Sequence, residues 1–203
     1  LENWVPLADV LSKRAELTTG ESERVELHRR IGEIALEKMG DAEAAEERLM
    51  KALELDPENA GAMMALVTLY RNREEWLRAA NMLADAEQAT GNRLEKARLL
   101  FEAGEIHREH LEDMDKAVNM YAKAMLVDPE HEASADVLAG HYYDAEQYEE
   151  AEPLYDLLLR KADPKHRKKK LELHVKVGLT AKHLKKADKS MKNLEKARDM
   201  DPT

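Results

Sequence analysis

The sequence predicts an all-α fold, an α-solenoid of antiparallel helix pairs, and three observations predict it. The chain is rich in Ala, Leu, Glu, Lys and Arg and holds only 8 Gly and 6 Pro in 203 residues, a composition that favours helix throughout. Helix-breaking signals recur at Asp56-Pro57, Asp128-Pro129, Asp163-Pro164 and Asp201-Pro202, with Gly20 and Gly91 in the two remaining gaps. From Gly20 through Pro57, Gly91, Pro129, Pro164 and Pro202 the intervals are 37, 34, 38, 35 and 38 residues. Long and short intervals alternate, so two unlike repeats form one unit near 72 residues. Trp4, Trp76 and Tyr148 stand 72 apart, as do Gly32 and Gly104, Ala45 and Ala117, Ala52 and Ala124, and Pro57 and Pro129. Duplication of a repeat pair produces such a set.

The elements follow in order. A first helix at 3–18 carries Trp4 and ends before Gly20, and a second at 22–39 carries Gly32. The helix at 42–55 places Ala45, Leu49, Ala52 and Leu53 on one face. At Asp56-Pro57, Asp suits an N-cap and Pro the first helical turn, so each Asp-Pro is expected to stop one helix and start the next. Helices at 58–71 and 74–89 follow, the latter with Trp76, and Gly91 precedes a helix at 92–111. The helix at 114–127 aligns Ala117, Val118, Tyr121, Ala124 and Met125. Helices at 130–144, 147–161, 165–184 and 187–200 complete the chain. The expected organisation is a single repeat domain over 1–203, with a partial repeat at 1–19 and repeats at about 20–56, 57–90, 91–128, 129–163 and 164–203. One hairpin cannot bury its apolar face alone, so each repeat rests on its neighbours.

The phased residues resemble the tetratricopeptide repeat (TPR) family. Met63, Leu66, Tyr70, Trp76, Ala79, Leu83 and Ala86 look like one repeat, and Leu138, Ala139, Tyr142, Tyr148, Ala151, Tyr155 and Leu158 like another. Gly178, Ser190, Leu194, Ala197 and Pro202 look like a third, with Ser190 where Ala is usual. Around Gly32 and Gly104 one extra residue separates the small residue from the Ala of the second helix, which predicts a longer first helix or a wider turn. The resemblance implies a right-handed superhelix whose first helices line a concave face, with Gly32, Gly104, Ala139 and Gly178 allowing close helix contact. The helix end Ala15-Glu16-Leu17 and the junction Ala52–Asn59 resemble long bacterial arrays.

Composition excludes several chemistries. With no Cys there is no disulfide, thiolate nucleophile or cysteine–zinc site, which fits a reducing compartment. The longest apolar-leaning stretch, Ala60–Tyr70, is too short to span a bilayer. The chain opens without an initiator Met or a leader pattern and is expected to be a fragment of a longer protein, placed in the cytoplasm, with the periplasm left open. The glycines form no phosphate-cradling loop and the four serines no nucleophile elbow. His107 and His110, with Glu105 and Glu109 nearby, lack the HExxH arrangement and read as solvated surface residues, so no metal, no cofactor and no catalytic residue is expected. Trp4, Trp76 and Tyr148 read as core wedges.

Charge is uneven. Net charge is −10, yet residues 160–203 hold 15 Lys and Arg against 6 Asp and Glu, net +9, and the rest of the chain is net −19. The basic run at 160–170 suits phosphate but has no interleaved aromatic for stacking on single strands. The helical phase places Glu26, Arg29, Arg30, Glu33, Met64, Thr68, Arg71, Arg98, Phe101, Glu105, Arg108, Asp136, Tyr143, Lys176 and Lys182 on the concave face. Some TPR proteins clamp the terminal carboxylate of a chaperone tail with Lys and Asn; here Arg29, Glu33, Met64 and Thr68 stand at those places, so that clamp is not reproduced. The expected function is a protein-interaction scaffold or adaptor, not an enzyme. Its partner would be a peptide or helix anchored on Met64, Phe101 and Tyr143 and flanked by Arg. The alternatives are a nucleic-acid-associated repeat protein using the basic last third, or a structural arm of a larger enzyme. The charge split and an open last helix carrying Leu194, Ala197 and Met200 further predict weak head-to-tail self-association.

Overall fold

Helices follow one another along the chain and pack as pairs. The computed structural model describes residues 4–201, and among these every regular element is helical. The order is α1 (Trp4–Leu17), α2 (Glu21–Ile34) with a π-helical turn (Ala35–Met39), α3 (Ala42–Leu55), α4 (Ala60–Asn72), α5 (Trp76–Ala89), α6 (Arg93–Glu109), α7 (Met114–Val127), α8 (Glu132–Asp144), α9 (Tyr148–Lys161), α10 (Arg167–His183) and α11 (Ala187–Met200). The chain divides into two compact units, residues 1–120 and 121–203, with the boundary inside α7.

In the first unit α2 pairs with α3 and α4 with α5, and each second helix also packs on the next first helix, α3 on α4 and α5 on α6. The reason is the small residues. Ala45, Ala52, Ala62 and Ala79 are fully buried and let the helices approach until Leu49, Leu66, Leu69 and Leu83 fill the space between. Gly32 is required here, because a Cβ on it would lie 2.6 Å from Leu49 Cγ. A smaller cluster of Leu11, Ala15, Leu27, Ile31 and Ile34 joins α1 to α2. In the second unit α8 pairs with α9, α9 packs on α10 and α10 pairs with α11 around Ala139, Ala151, Tyr155, Leu158 and Val177. Gly178 repeats the role of Gly32, a Cβ there lying 2.7 Å from Leu194 Cγ.

The turns correct the sequence reading in one respect. Asp56 does not start a helix. It ends α3 as the C-cap and its carboxylate accepts the Glu58 N–H, while Asn59 caps α4 by accepting the Ala62 N–H. His131 caps α8, and His166 occupies the cap position of α10. The Asp-Pro pairs therefore build a separate turn, and α4, α8 and α10 begin three residues after the Pro, because the Asp side chain closes the turn locally. Pro202 lies outside the described residues.

The extra residue near Gly32 and Gly104 widens the turn. In the ordinary hairpins the chain closes by a five-residue step, Glu75 N–H to Tyr70 O, Gln147 N–H to Tyr142 O and Lys186 N–H to Ala181 O. At the two long repeats the step is six, Asp41 N–H to Ala35 O and Asp113 N–H to His107 O, and after α2 the surplus residue is taken up as the π-helical turn. Each of these five turns holds one left-handed residue: Gly40, Glu74, Glu112, Glu146 and Lys185.

Candidate peptide-binding site

The first helices were expected to carry the ligand face, and the two units treat that face differently. In the first unit the charges satisfy one another. Arg29 donates to Glu26 and Glu33 on its own helix, Arg98 to Glu95 and Glu102, and Arg108 to Glu105 and Glu109. Arg71 bridges α4 to α6 by donating to Glu102 at 2.8 Å. The Arg29, Arg98 and Arg108–Glu105 pairs have the one-turn spacing that holds opposite charges on a helix surface. Arg30 is exposed. Met64 is half-buried against the core, Phe101 is half-buried on α6, and the exposed Thr68 turns its hydroxyl back to donate to Met64 O. Met64 is thus part of the packing and not an open anchor.

In the second unit Tyr143 is likewise engaged. Its ring meets Tyr148, Tyr155 and His183 edge to face at 5.5, 6.1 and 6.3 Å between centroids, and the Lys176 ammonium sits 4.4 Å from its centroid. Lys182 is exposed. Between α8 and α10 a cavity of about 800 Å³ opens beside this cluster, floored by Tyr155, Leu173 and Gly140. Its wall is the start of α10 and the turn before it: Lys165, Arg167, Lys168 and Lys169, with Lys176 two turns on. Arg167 donates to Met200 O, but no carboxylate among the described residues forms an ion pair with Lys165, Lys168, Lys169 or Lys176. Asp136 and Glu172 also line the cavity, leaving cations in excess. Burial pushes the Tyr155 hydroxyl up to about 12, with Asp144, Tyr143 and Asp136 adding to it, so the floor stays neutral and the charge of the cavity is set by its wall.

Sequence reasoning missed most of this wall, because it weighed the basic run at 160–170 against phosphate alone and read Tyr155 only as a repeat position. The aromatic positions also differ from expectation. Trp76 is half-buried and stacks on the exposed His110, with centroids 3.5 Å apart and planes at 6°. Tyr148 stacks in the same way on His183 at 4.1 Å, and Lys38 lies 5.9 Å from the Trp4 ring. Each aromatic that opens a second helix is therefore covered by a side chain from the end of the next first helix, a pairing visible in the sequence only as a spacing of 34 or 35 residues. His107, read as solvated, is buried, and that burial, with Lys116 reinforcing it, lowers its pKa below the ordinary histidine value against the opposing pull of Asp113.

Residues 30–59 and 97–131 each match the family model described as tetratricopeptide repeat. These two stretches are tetratricopeptide repeats. Solved structures with the same fold include YrrB, described as a TPR protein with an unusual peptide-binding site, at 20% identity, covering 96% of this chain and 94% of that one with a TM-score of 0.58. MamA is similar at 16% identity, 89% and 93% coverage and a TM-score of 0.57. A tetratricopeptide repeat protein from Parabacteroides merdae is similar at 20% identity, 88% and 67% coverage and a TM-score of 0.57. No curated protein sequence matches the chain. As a tetratricopeptide array the chain has the architecture of a protein-interaction scaffold. Among the described residues no helix is long and apolar enough to cross a membrane.

Proposed function

We propose that this tetratricopeptide array binds an extended, acidic segment of a protein partner in the cavity between α8 and α10. The observation that carries the reading is the excess of cations without ion-pair partners along one wall of an open cavity with an aromatic and aliphatic floor. An extended peptide supplies the reciprocal surface: side chains for the floor and carboxylates for Lys168, Lys169 and Lys176. The first-unit face supports the same placement by contrast, since its Arg side chains already hold Glu partners that a ligand would have to displace. The nucleic-acid alternative is not favoured, because the tyrosines beside the basic wall are turned onto one another and onto His183.

Gly140 offers a clean test. A Cβ built there meets nothing within 4 Å, so a larger side chain enters the cavity and not the core. Fluorescence anisotropy with an acidic, tyrosine-containing peptide should show salt-sensitive binding that Gly140→Leu abolishes and Lys168→Glu/Lys169→Glu weakens about tenfold or more. Equal binding by wild type and Gly140→Leu would place the ligand elsewhere.

A second proposal is weak head-to-tail self-association, supported by apolar exposure at both terminal helices: Val10 is 62% exposed on α1 and Met191 59% on α11. Ala197 is buried and Leu194 packs against Gly178, so Met191 replaces them as the open apolar residue of the last helix. Sedimentation at low and high salt checks it; a monomer under both conditions removes it.

A further inference from the structure

On the other side of α10, between α9, α10 and α11, lies a second cleft of about 1090 Å³ that the peptide reading does not use. Two rows of basic side chains face each other across it. Arg167, Lys170 and His174 stand at successive turns of α10, and Lys189, Lys192 and Lys196 repeat the same three-then-four spacing on α11. Lys189 is held by Asp156 and Glu152, and Arg167 by Met200 O. Among the described residues Lys170, Lys192 and Lys196 form no ion pair, and of the carboxylates on the cleft Asp156 is taken by Lys189 while Asp199 lies 3.6 Å from Arg198. Asp188 is the remaining acidic side chain there.

His174 is 6% exposed and its ring orientation is determined. The Asn193 amide donates to Lys189 O at 2.9 Å, so Asn193 Oδ1 is the atom that meets His174 Nδ1 at 2.9 Å, and Nδ1 carries the proton. Nε2 is the ring nitrogen left for the cleft. The first unit contains a cleft of the same build between α1, α2 and α3, which isolates what is special here. His28 lies 146 residues before His174, Arg24 146 before Lys170 and Lys51 145 before Lys196. That cleft is only about 400 Å³, however, and Glu16 and Glu54 nearly balance its cations. Lys51 is tied to Glu47 at 2.8 Å, and His28 Nδ1 has no partner where Arg48 replaces Asn193. The histidine belongs to the architecture of both clefts; the charge surplus, the volume and the fixed ring belong to the second alone.

We infer that the α9–α10–α11 cleft binds a compact polyanion carrying two or more closely spaced phosphate groups. Ammonium groups on opposing walls repel one another, and a ligand relieves both walls only if its charges are multiple and close together. A single carboxylate would reach one wall. Condensed phosphate in solution and the headgroup of a phosphorylated inositol lipid share this chemistry.

Isothermal titration of the full chain with sodium tripolyphosphate tests the site, with inorganic sulfate as the comparison. The expected result is one site per chain, weakened about tenfold or more by Lys192→Glu/Lys196→Glu. Lys168→Glu/Lys169→Glu, which makes the same change in net charge at the neighbouring cavity, should weaken it far less. Cosedimentation with phosphatidylcholine vesicles, with and without phosphatidylinositol bisphosphate, separates the sources: recruitment that tripolyphosphate competes away assigns the lipid headgroup, and tripolyphosphate binding without recruitment assigns the soluble anion. The inference is overturned if neither probe binds, if sulfate binds as well as tripolyphosphate, or if the two charge reversals weaken binding equally. The peptide assay on Gly140→Leu is independent of all these results.

Discussion

The first-helix face of the first unit and that of the second unit start from similar residue types and reach opposite electrostatic states. On α2 and α6 the interior Arg residues have Glu one turn away, at Glu26 and Glu33 around Arg29 and at Glu95 and Glu102 around Arg98, and Arg71 of α4 reaches across to Glu102, so the charges close on themselves. On α10 the cations come in an unbroken run, Arg167 to Lys170, and the nearest acid on the same helix is Glu172. Helical pairing needs opposite charges three or four residues apart; on α10 Glu172 alone stands at that spacing from Lys168, Lys169 and Lys176, and one carboxylate cannot satisfy three cations. The number of acids within reach of each base separates a self-satisfied surface from a binding one.

The largest expected effect contrasts two leucines that pack on equivalent glycines. Leu49→Ala, at a fully buried site over Gly32, should cost about 2–5 kcal/mol, and Leu194→Ala, half-buried over Gly178, about 1–2 kcal/mol, both read from urea unfolding. Equal losses would mean the last hairpin is packed as tightly as the first unit. Next, Trp76→Ala should cost about 2 kcal/mol, because the ring is half-buried and stacked on His110, and not the larger loss of a core wedge.

Acid should separate the units further. Glu26, Glu47 and Glu95 are held below the ordinary carboxylate value of 4.5, chiefly by hydrogen bonds from Arg29, Lys51 and Arg98. In Glu46 burial pushes the other way, and Arg78, Arg73 and Tyr70 outweigh it. Folding favours the ionised form of each, so their stabilisation is present above 4.5 and is lost as pH falls through the lowered folded values. In the second unit Glu152 is depressed likewise, by Lys186 and Lys189 against the opposing effect of its burial. Hydrogen exchange followed by mass spectrometry below about pH 5 should therefore show the first unit loosening before the second. Glu46→Gln should flatten that acid response, and an unchanged response would remove the ion pairs as its cause. The smallest effect concerns the turns. Glu146 is left-handed, with φ 59°, so Glu146→Gly should raise stability by about 0.5–1 kcal/mol in thermal unfolding, whereas Gly40→Ala in the first unit should lower it by about as much.

Much of this was legible beforehand because helix formation and stacking depend on local period. Gly32 against Leu49 and Gly178 against Leu194 follow from small and bulky residues in phase, and the wider turn after α2 follows from one surplus residue. The Asp-Pro junctions misled because the same Asp can cap a helix or close a turn, and the chain after it decides which. Asn59 and His131 were better placed to cap, and took that role.

By itself the sequence determined the all-helical tandem repeat, the 72-residue unit and the concentration of positive charge after residue 160, since each is a property of composition or of spacing along the chain. Only the tertiary structure decided what the cations of the basic run face. Arg29 and Lys168 are both cations on first helices, but Arg29 lies between two glutamates and Lys168 borders a cavity between α8 and α10. Likewise His174 becomes a fixed ring in a cationic cleft only through Asn193, which lies nineteen residues away on the next helix. The glutamates about Arg29 are set by local spacing, whereas the cavity beside Lys168 and the Asn193 contact are relations between surfaces that folding brings together, which no local period encodes.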